Sequence, residues 1–307
     1  MFVCFLALHC SIGPYNPPGG ARPNRRTSGN LFDCIEAAWR PVATKEFVWG
    51  NFVWVGFDYR GETGPTGWPA ISSHFGIHDL AGFPKVGANY YRAWWRDLSA
   101  GTVSVDVSPD DWTAPVAKGS PIEIRVTTTA ASAAVFVNGA KQAMQTMPRF
   151  GSLKWSVPFA RGNLTAVAYD KAGAVLATKT ILSAGKPTHL RATVASPGYL
   201  APRNASRIAA DGTDVALITV ELLDAKGIRV PNADVNVSFT VDGPGSVVGT
   251  TNGDPADHSP EHSTTCATFY GLLRGVVRSA AAGEAGKVTV HVAAAGVAGA
   301  SVVLEAV

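Results

Sequence analysis

The sequence predicts a mostly β chain, with two immunoglobulin-like β-sandwiches preceded by a shorter helix–strand–loop–helix region. Three observations predict it. Gly 32 and Pro 20 punctuate stretches rich in Val, Thr and Ala, as strands joined by frequent turns require. From residue 102 onward, short runs alternate apolar with polar residues at a spacing of about 8–12 residues, the rhythm of a sandwich. Residues 31–100 follow a different period, helical at both ends and continuously apolar in the middle.

In chain order, residues 1–30 are irregular, broken by Gly13-Pro14, Pro17-Pro18-Gly19-Gly20 and Arg22-Pro23, and read as loop or as sequence foreign to the rest. Leu31, Ile35, Ala38, Trp39 and Val42 have the spacing of one helical face. Phe47–Phe57 is continuously apolar and aromatic, which predicts a strand buried on both faces. A Gly/Pro loop follows over Gly61–Pro69, and Ala88–Leu98 reads as a second helix rich in Tyr and Trp. Together these elements form a βα unit of the parallel α/β kind.

In the first β-zone, 102–185, strands are predicted around Val103–Val107 and Ile122–Val126. Val135–Val137 leads into Asn138-Gly139, a hairpin turn. Leu164–Ala168 leads into a second turn over Tyr169–Gly173. The pattern restarts at Ala184-Gly185-Lys186-Pro187. In the second β-zone, 187–307, strands are predicted over 188–194, 215–223, 235–241, 272–279, 287–292 and 301–307.

Composition excludes several classes of function. The net charge is +3, and the one basic cluster, Arg22, Arg25 and Arg26, has no interleaved aromatics, so no nucleic-acid partner is expected. No apolar run approaches the roughly 20 residues of a membrane span. Met1–Leu8 is apolar but has no basic residue before it, which makes a poor secretory signal. The cysteines at 4, 10, 34 and 266 show neither metal-ligand spacing nor a disulfide framework, so Cys34 and Cys266 are expected as small core or surface residues.

His258-Ser-Pro-Glu261-His262 has the letters of a zinc motif that requires a helix, and Pro260 breaks it. Asn252, Asp254 and Asp257 lack calcium-loop spacing. No metal or cofactor is expected, and phosphate-loop and dinucleotide fingerprints are absent from the sequence. The sequons at Asn163, Asn204 and Asn236 are short enough to arise by chance.

Chemistry concentrates between residues 47 and 85. Ala37-Ala38-Trp39, Phe52-Val53-Trp54, Gly56-Phe57-Asp58-Tyr59-Arg60-Gly61-Glu62, Gly67-Trp68-Pro69, Ser72-Ser73, Phe75-Gly76-Ile77, Asp79–Lys85, Tyr90-Tyr91 and Trp94-Trp95 closely resemble the end of the catalytic barrel in family 2 glycoside hydrolases of the β-galactosidase type. Residues 102–185 resemble the sandwich that follows that barrel. Residues 187–307 resemble a further immunoglobulin-like domain, through Asp224–Gly227, Gly243-Pro244-Gly245 and Thr251–Pro255.

The resemblance implies a partial (β/α)8 barrel in which Phe47–Phe57 is the last strand. It also implies that both catalytic glutamates, which lie on earlier strands in the family, have no counterpart in this sequence. The parent enzyme would be secreted or periplasmic and would act on a β-linked sugar or polysaccharide. The partner expected for this chain is the missing barrel portion.

Asp58 and Glu62 are a poor substitute for the missing pair. Four residues apart in extended chain they stand about 13 Å apart, against about 5–5.5 Å for a retaining and roughly 6.5–9.5 Å for an inverting glycosidase. No catalytic residue is therefore assigned. A tryptophan at the C-terminal end of a barrel strand faces the substrate mouth, and electropositive sugar C–H faces pack on its ring. The resemblance implies that Trp54 is the sugar floor. Asp58 and Glu62 either bind sugar hydroxyls or organise the loop, and Trp68 either lines an outer subsite or packs. The competing expectations are a non-catalytic carbohydrate-binding or scaffold module, and a gene fragment whose apolar strand lies exposed.

Overall fold

A computed structural model of the chain describes residues 29–63, 67–113, 117–195, 206–281 and 283–307. The arm at 1–28, with Cys4, Cys10 and the arginine cluster, and the sequon at Asn204 lie outside these residues. The chain divides into two compact units, Met1–Ser183 and Ala184–Val307, and both are mostly β.

The first unit opens with helix α1 (Gly29–Thr44), which carries Pro41 within its last turn. Ile35 and Ala38 on its predicted face are buried. Helix α2 (Val86–Tyr91) continues through a wide turn, Arg92–Asp97, to Ala100. Gly101, at φ +65°, then ends it in the left-handed conformation glycine adopts without steric cost.

Eight strands follow. β1 (Val105–Ser108), β2 (Pro121–Thr128) and β6 (Leu153–Pro158) form one antiparallel sheet. β3 (Ser132–Val137), β4 (Ala140–Lys141), β7 (Asn163–Tyr169) and β8 (Val175–Leu182) form the other, with β5 (Gln145–Thr146) on β3. The predicted Asn138-Gly139 hairpin joins β3 to β4, with Val137 opposite Ala140 and φ of +49° and +83° at the turn.

One core unites helices and sheets. Ile35, Val86, Tyr90 and Trp94 pack with Val107, Trp112, Ile124, Val135 and Leu164. The helices are also pinned by polar contacts: Tyr90 Oη donates to Phe150 O at 2.5 Å, Trp94 Nε1 to Gly151 O at 3.0 Å, and Ser152 Oγ to Glu36 at 3.0 Å. Arg92 and Lys179 both pair with the buried carboxylate of Asp106.

The second unit has nine strands in two sets, joined where Ala298 stands opposite His189. Its strands are β9 (Pro187–Ala195), β10 (Arg207–Ile208), β11 (Val215–Asp224), β12 (Asn236–Asp242), β13 (Gly245–Thr251), β14 (Thr265–Ala267), β15 (Leu272–Ser279), β16 (Gly286–Ala294) and β17 (Val297–Ala306). The order is β13-β15-β11-β9-β17-β16-β12-β14, with β10 on β17. Its core is Leu190, Ile218, Leu222, Phe239, Leu273, Val290 and Leu304. The Asp224 carboxylate accepts the amides of Lys226, Ile228 and Gly185 and so closes the Asp224–Gly227 turn.

Two expectations are corrected here. Phe47–Phe57 is not a strand buried on both faces. It forms no strand: Phe47 sits in a turn, the chain bends at Trp54 and Gly56, and the bridge from Phe57 to His78 is isolated, while Phe47, Trp49, Phe52 and Phe57 are 58–78% exposed. From Val55 onward the backbone bonds to Phe75–His78. Second, Cys34 is disulfide-bonded. Spacing alone could not indicate this, because the other cysteines follow no framework pattern. Cys266 is a free, buried thiol.

Candidate carbohydrate site

The candidate site is built on a loop that doubles back on itself. Residues 55–61 lie against 71–78 in a backbone ladder. Ile77 N bonds Val55 O at 3.0 Å, His78 N bonds Gly56 O at 3.0 Å, Asp58 N bonds His78 O at 3.0 Å, Ser73 N bonds Tyr59 O at 2.8 Å, and Gly61 N bonds Ile71 O at 2.9 Å. The two segments approach so closely that only glycine fits at position 76: a Cβ there would stand 2.2 Å from Asp58 N. Beyond the ladder, Asp79 Oδ1 accepts the Phe83 amide at 2.8 Å and shapes the turn back to Lys85.

The two acids have different environments. The Asp58 side chain is 6% exposed; its Oδ2 is 2.6 Å from Lys85 Nζ, and its Oδ1 accepts the Gly76 amide at 2.8 Å. Burial pushes its carboxyl above the usual range, against the opposing pull of Lys85 and the Gly76 amide. Glu62 is exposed and adopts φ +46° just after Gly61 at φ +84°. That reversal brings its carboxylate to the Tyr59 hydroxyl, which donates to Oε2.

Tyr59 joins the site together. Trp54 Nε1 donates to Tyr59 Oη at 3.3 Å, and the two rings meet edge to face with centroids 6.4 Å apart. The bond to Glu62 holds the Tyr59 proton and raises its pKa. Trp54, 56% exposed, therefore presents an aromatic face beside a carboxylate. The Trp54–Val55 and Trp68–Pro69 peptide bonds are cis.

Of the sequence-predicted site residues, Trp54 and Glu62 are joined through Tyr59. Asp58 sits inside the loop, on Lys85. Trp68 stands 79% exposed, within a turn closed by Ala70 N to Gly67 O at 2.9 Å. Sequence reasoning assigned no role to Tyr59 or Lys85. Strand alternation would place Tyr59 on the face opposite Trp54 and Glu62; the reversal at Gly61 and Glu62 is what brings it to the carboxylate.

Nearby, burial and the Lys85 charge lower the His74 pKa to about 4. Among the described residues, no group of three or more His, Cys, Asp or Glu is placed to hold a metal ion. His258–His262 lies in a turn-rich loop; Asp254 and Asp257 cap that loop's own amides, and Asn252 donates to Ala267 O on β14.

Comparison with known proteins gives a consistent family. The model described as glycoside hydrolase family 2 C-terminal domain 5 matches residues 202–303, and one described as a domain of unknown function matches 119–177. Beta-galactosidase BoGH2A of Bacteroides ovatus is 36% identical over 247 residues, which is 80% of this chain and 27% of that protein. A putative beta-glucuronidase of Formosa agariphila is 28% identical over 78% of this chain and 22% of its own length.

Among solved structures, a beta-glycosidase from Bacteroides vulgatus superposes with a TM-score of 0.77 at 27% identity, covering 88% of this chain and 32% of that one. A beta-glucuronidase from glycoside hydrolase family 2 gives a TM-score of 0.71 at 26% identity, covering 89% of this chain and 27% of that one. The chain thus spans only 22–32% of the length of these relatives. Sequence and fold agree that the chain belongs to glycoside hydrolase family 2 and corresponds to the C-terminal region of its members.

Proposed function

We propose that the chain is the C-terminal part of a β-galactosidase-like retaining glycosidase. In this reading 1–30 is an irregular or foreign N-terminal segment, 31–100 is the last βα portion of its barrel, and 102–185 and 187–307 are its trailing sandwich domains. Trp54 is the floor of the sugar subsite, Glu62 accepts a sugar hydroxyl, and Trp68 lines an outer subsite. Asp58 organises the loop. The observation that carries the reading is the exposed Trp54 ring set beside the Glu62 carboxylate through Tyr59, the pairing of aromatic face and acceptor that a sugar ring requires.

The same geometry supports the absence of turnover by the 307 residues alone. Hydrolysis needs two carboxyls flanking one bond. Asp58 is buried on Lys85, whereas Glu62 is exposed on Tyr59. The partner is then the preceding portion of the barrel, which would cover Phe47, Trp49 and Phe52. A non-catalytic binding module based on the sandwiches is disfavoured, because Trp112 and Trp155 are buried in the core.

The purified chain is assayed on an aryl β-galactoside and an aryl β-glucuronide. No turnover is expected. Turnover abolished by Asp58→Asn or Glu62→Gln would refute the reading. Joined in frame to the preceding part of a family 2 barrel, the chain is expected to support turnover that Trp54→Ala lowers by at least tenfold.

A further inference from the structure

The arm that presents Trp54 and Glu62 buries little of its own: Trp54 and Phe57 are more than half exposed and Glu62 is open to solvent, whereas Ser72, Ser73 and Phe75 on the arm behind it are buried. Its rigid support is elsewhere. Lys85 directly precedes α2, and the helical segment that α2 begins is held to the sandwich through Tyr90 on Phe150 O and Trp94 on Gly151 O. From that mount the Lys85 ammonium reaches Asp58 Oδ2 at 2.6 Å and His74 O at 3.2 Å. Both members of the pair are 9% exposed or less. Asp58 also holds the opposite arm of the loop through Gly76 N at 2.8 Å. Trp54 lies four residues before Asp58, and Glu62 lies four residues after it.

The geometry points to Lys85 and Asp58 as positioning residues, a buried strut that fixes the middle of the loop to the sandwich-mounted helix and so sets Trp54 against Glu62. The assignment rests on the reading of Trp54 and Glu62 as the sugar wall. A buried ion pair contributes little net stability, yet it strongly penalises any arrangement that separates its members. An exposed arm that must hold one geometry with no buried apolar residue between Trp54 and Glu62 benefits from that penalty. An apolar contact in the same place would allow sliding.

The test uses the full chain labelled with 5-fluorotryptophan, with the Trp54 line assigned by Trp54→Phe. In Asp58→Asn, Lys85→Met and the double variant, the Trp54 ¹⁹F line is expected to shift or broaden. The lines of Trp112 and Trp155, deep in the sandwich, should hold. The double variant leaves no unpaired buried charge, so it carries the test if the single variants fail to fold.

A Trp54 line unmoved in the double variant overturns the proposal. So does collapse of the Trp112 and Trp155 lines with it, which would make the pair a support of the whole unit. In a separate arm, isopropyl β-thiogalactoside is titrated into the wild-type chain fused to the barrel portion. A Trp54 line that ignores the sugar there refutes the sugar wall and leaves the strut to be judged by the variants alone.

Discussion

Replacing Gly76 by alanine should open the candidate site while leaving the sandwich intact. The added methyl would stand 2.2 Å from Asp58 N, 2.4 Å from His78 O and 2.4 Å from Phe57 C. Comfortable carbon contacts begin near about 3.5 Å, so the two arms must part by roughly 1 Å. All three obstacles are backbone atoms, and no flexible side chain can yield in their place. The bonds nearest the methyl are Asp58 N to His78 O, His78 N to Gly56 O, and Gly76 N to the Asp58 carboxylate. At about 1 kcal/mol for each neutral bond and about 1.5–3 kcal/mol for the charged one, parting the arms costs about 4 kcal/mol.

The loop shares little core with the sheets, so this cost should appear as local opening. Amide hydrogen exchange reads it directly. Protection at Asp58, Ile77 and His78 should fall by up to about a thousandfold, the equivalent of about 4 kcal/mol. Amides of β3 and β7, such as Val135 and Ala166, should keep theirs. Unchanged protection in the loop would refute the close-approach argument. Uniform loss across β3 and β7 would show that the loop is not an independent unit.

Three further outcomes follow from buried groups. Trp112 is fully buried against Phe159 and donates to Ala160 O at 2.8 Å, so Trp112→Ala should cost the first unit about 3–5 kcal/mol in urea unfolding. His74 has a folded pKa of about 4 against an ordinary 6.5. The unfolded chain therefore binds a proton through that window that the folded chain refuses, and stability falls as pH drops from 6.5 towards 4, by at most about 3 kcal/mol. His74→Gln should flatten that slope, and an unaltered slope would place its origin elsewhere. Burial and the neighbouring Asp257 push the Cys266 thiol up to about 12, so peptide mapping after iodoacetamide at pH 8 should find it unmodified until the chain is denatured.

The β-elements were legible because their periods are local. β15 falls on 272–279 as the alternation predicts, and the Asn138-Gly139 turn announces its hairpin. β13 was missed for an equally local reason. Its sequence, Gly245–Thr251, contains two glycines and a register shift between Val247 and Gly249, and these interrupt the alternation by which a strand is recognised. At the site, the motif located the acids but could not assign them. Whether Asp58 faces a sugar or a lysine depends on Lys85, which lies 27 residues further along the chain. No spacing rule reaches that far.

The Phe47–Phe57 run marks the limit more sharply. Hydrophobicity records that a segment should leave water and says nothing about what will cover it. A strand enclosed by its own fold and a strand awaiting a partner therefore read alike. In the structure Phe47, Trp49 and Phe52 are 66%, 75% and 78% exposed, and the ladder that begins at Val55 satisfies the backbone without covering those rings. At about 25 cal/mol per Å² of apolar surface buried, and with aromatic side chains burying about 150–250 Å² each, enclosing these three rings contributes roughly 8–13 kcal/mol at about 70% of their area. That is comparable to the whole stability of a typical domain, about 5–15 kcal/mol. A barrel portion supplied with the chain should raise the unfolding midpoint of the first unit and quench solvent access to Trp49. Acrylamide quenching that stays as strong with that portion as without it would refute the covering.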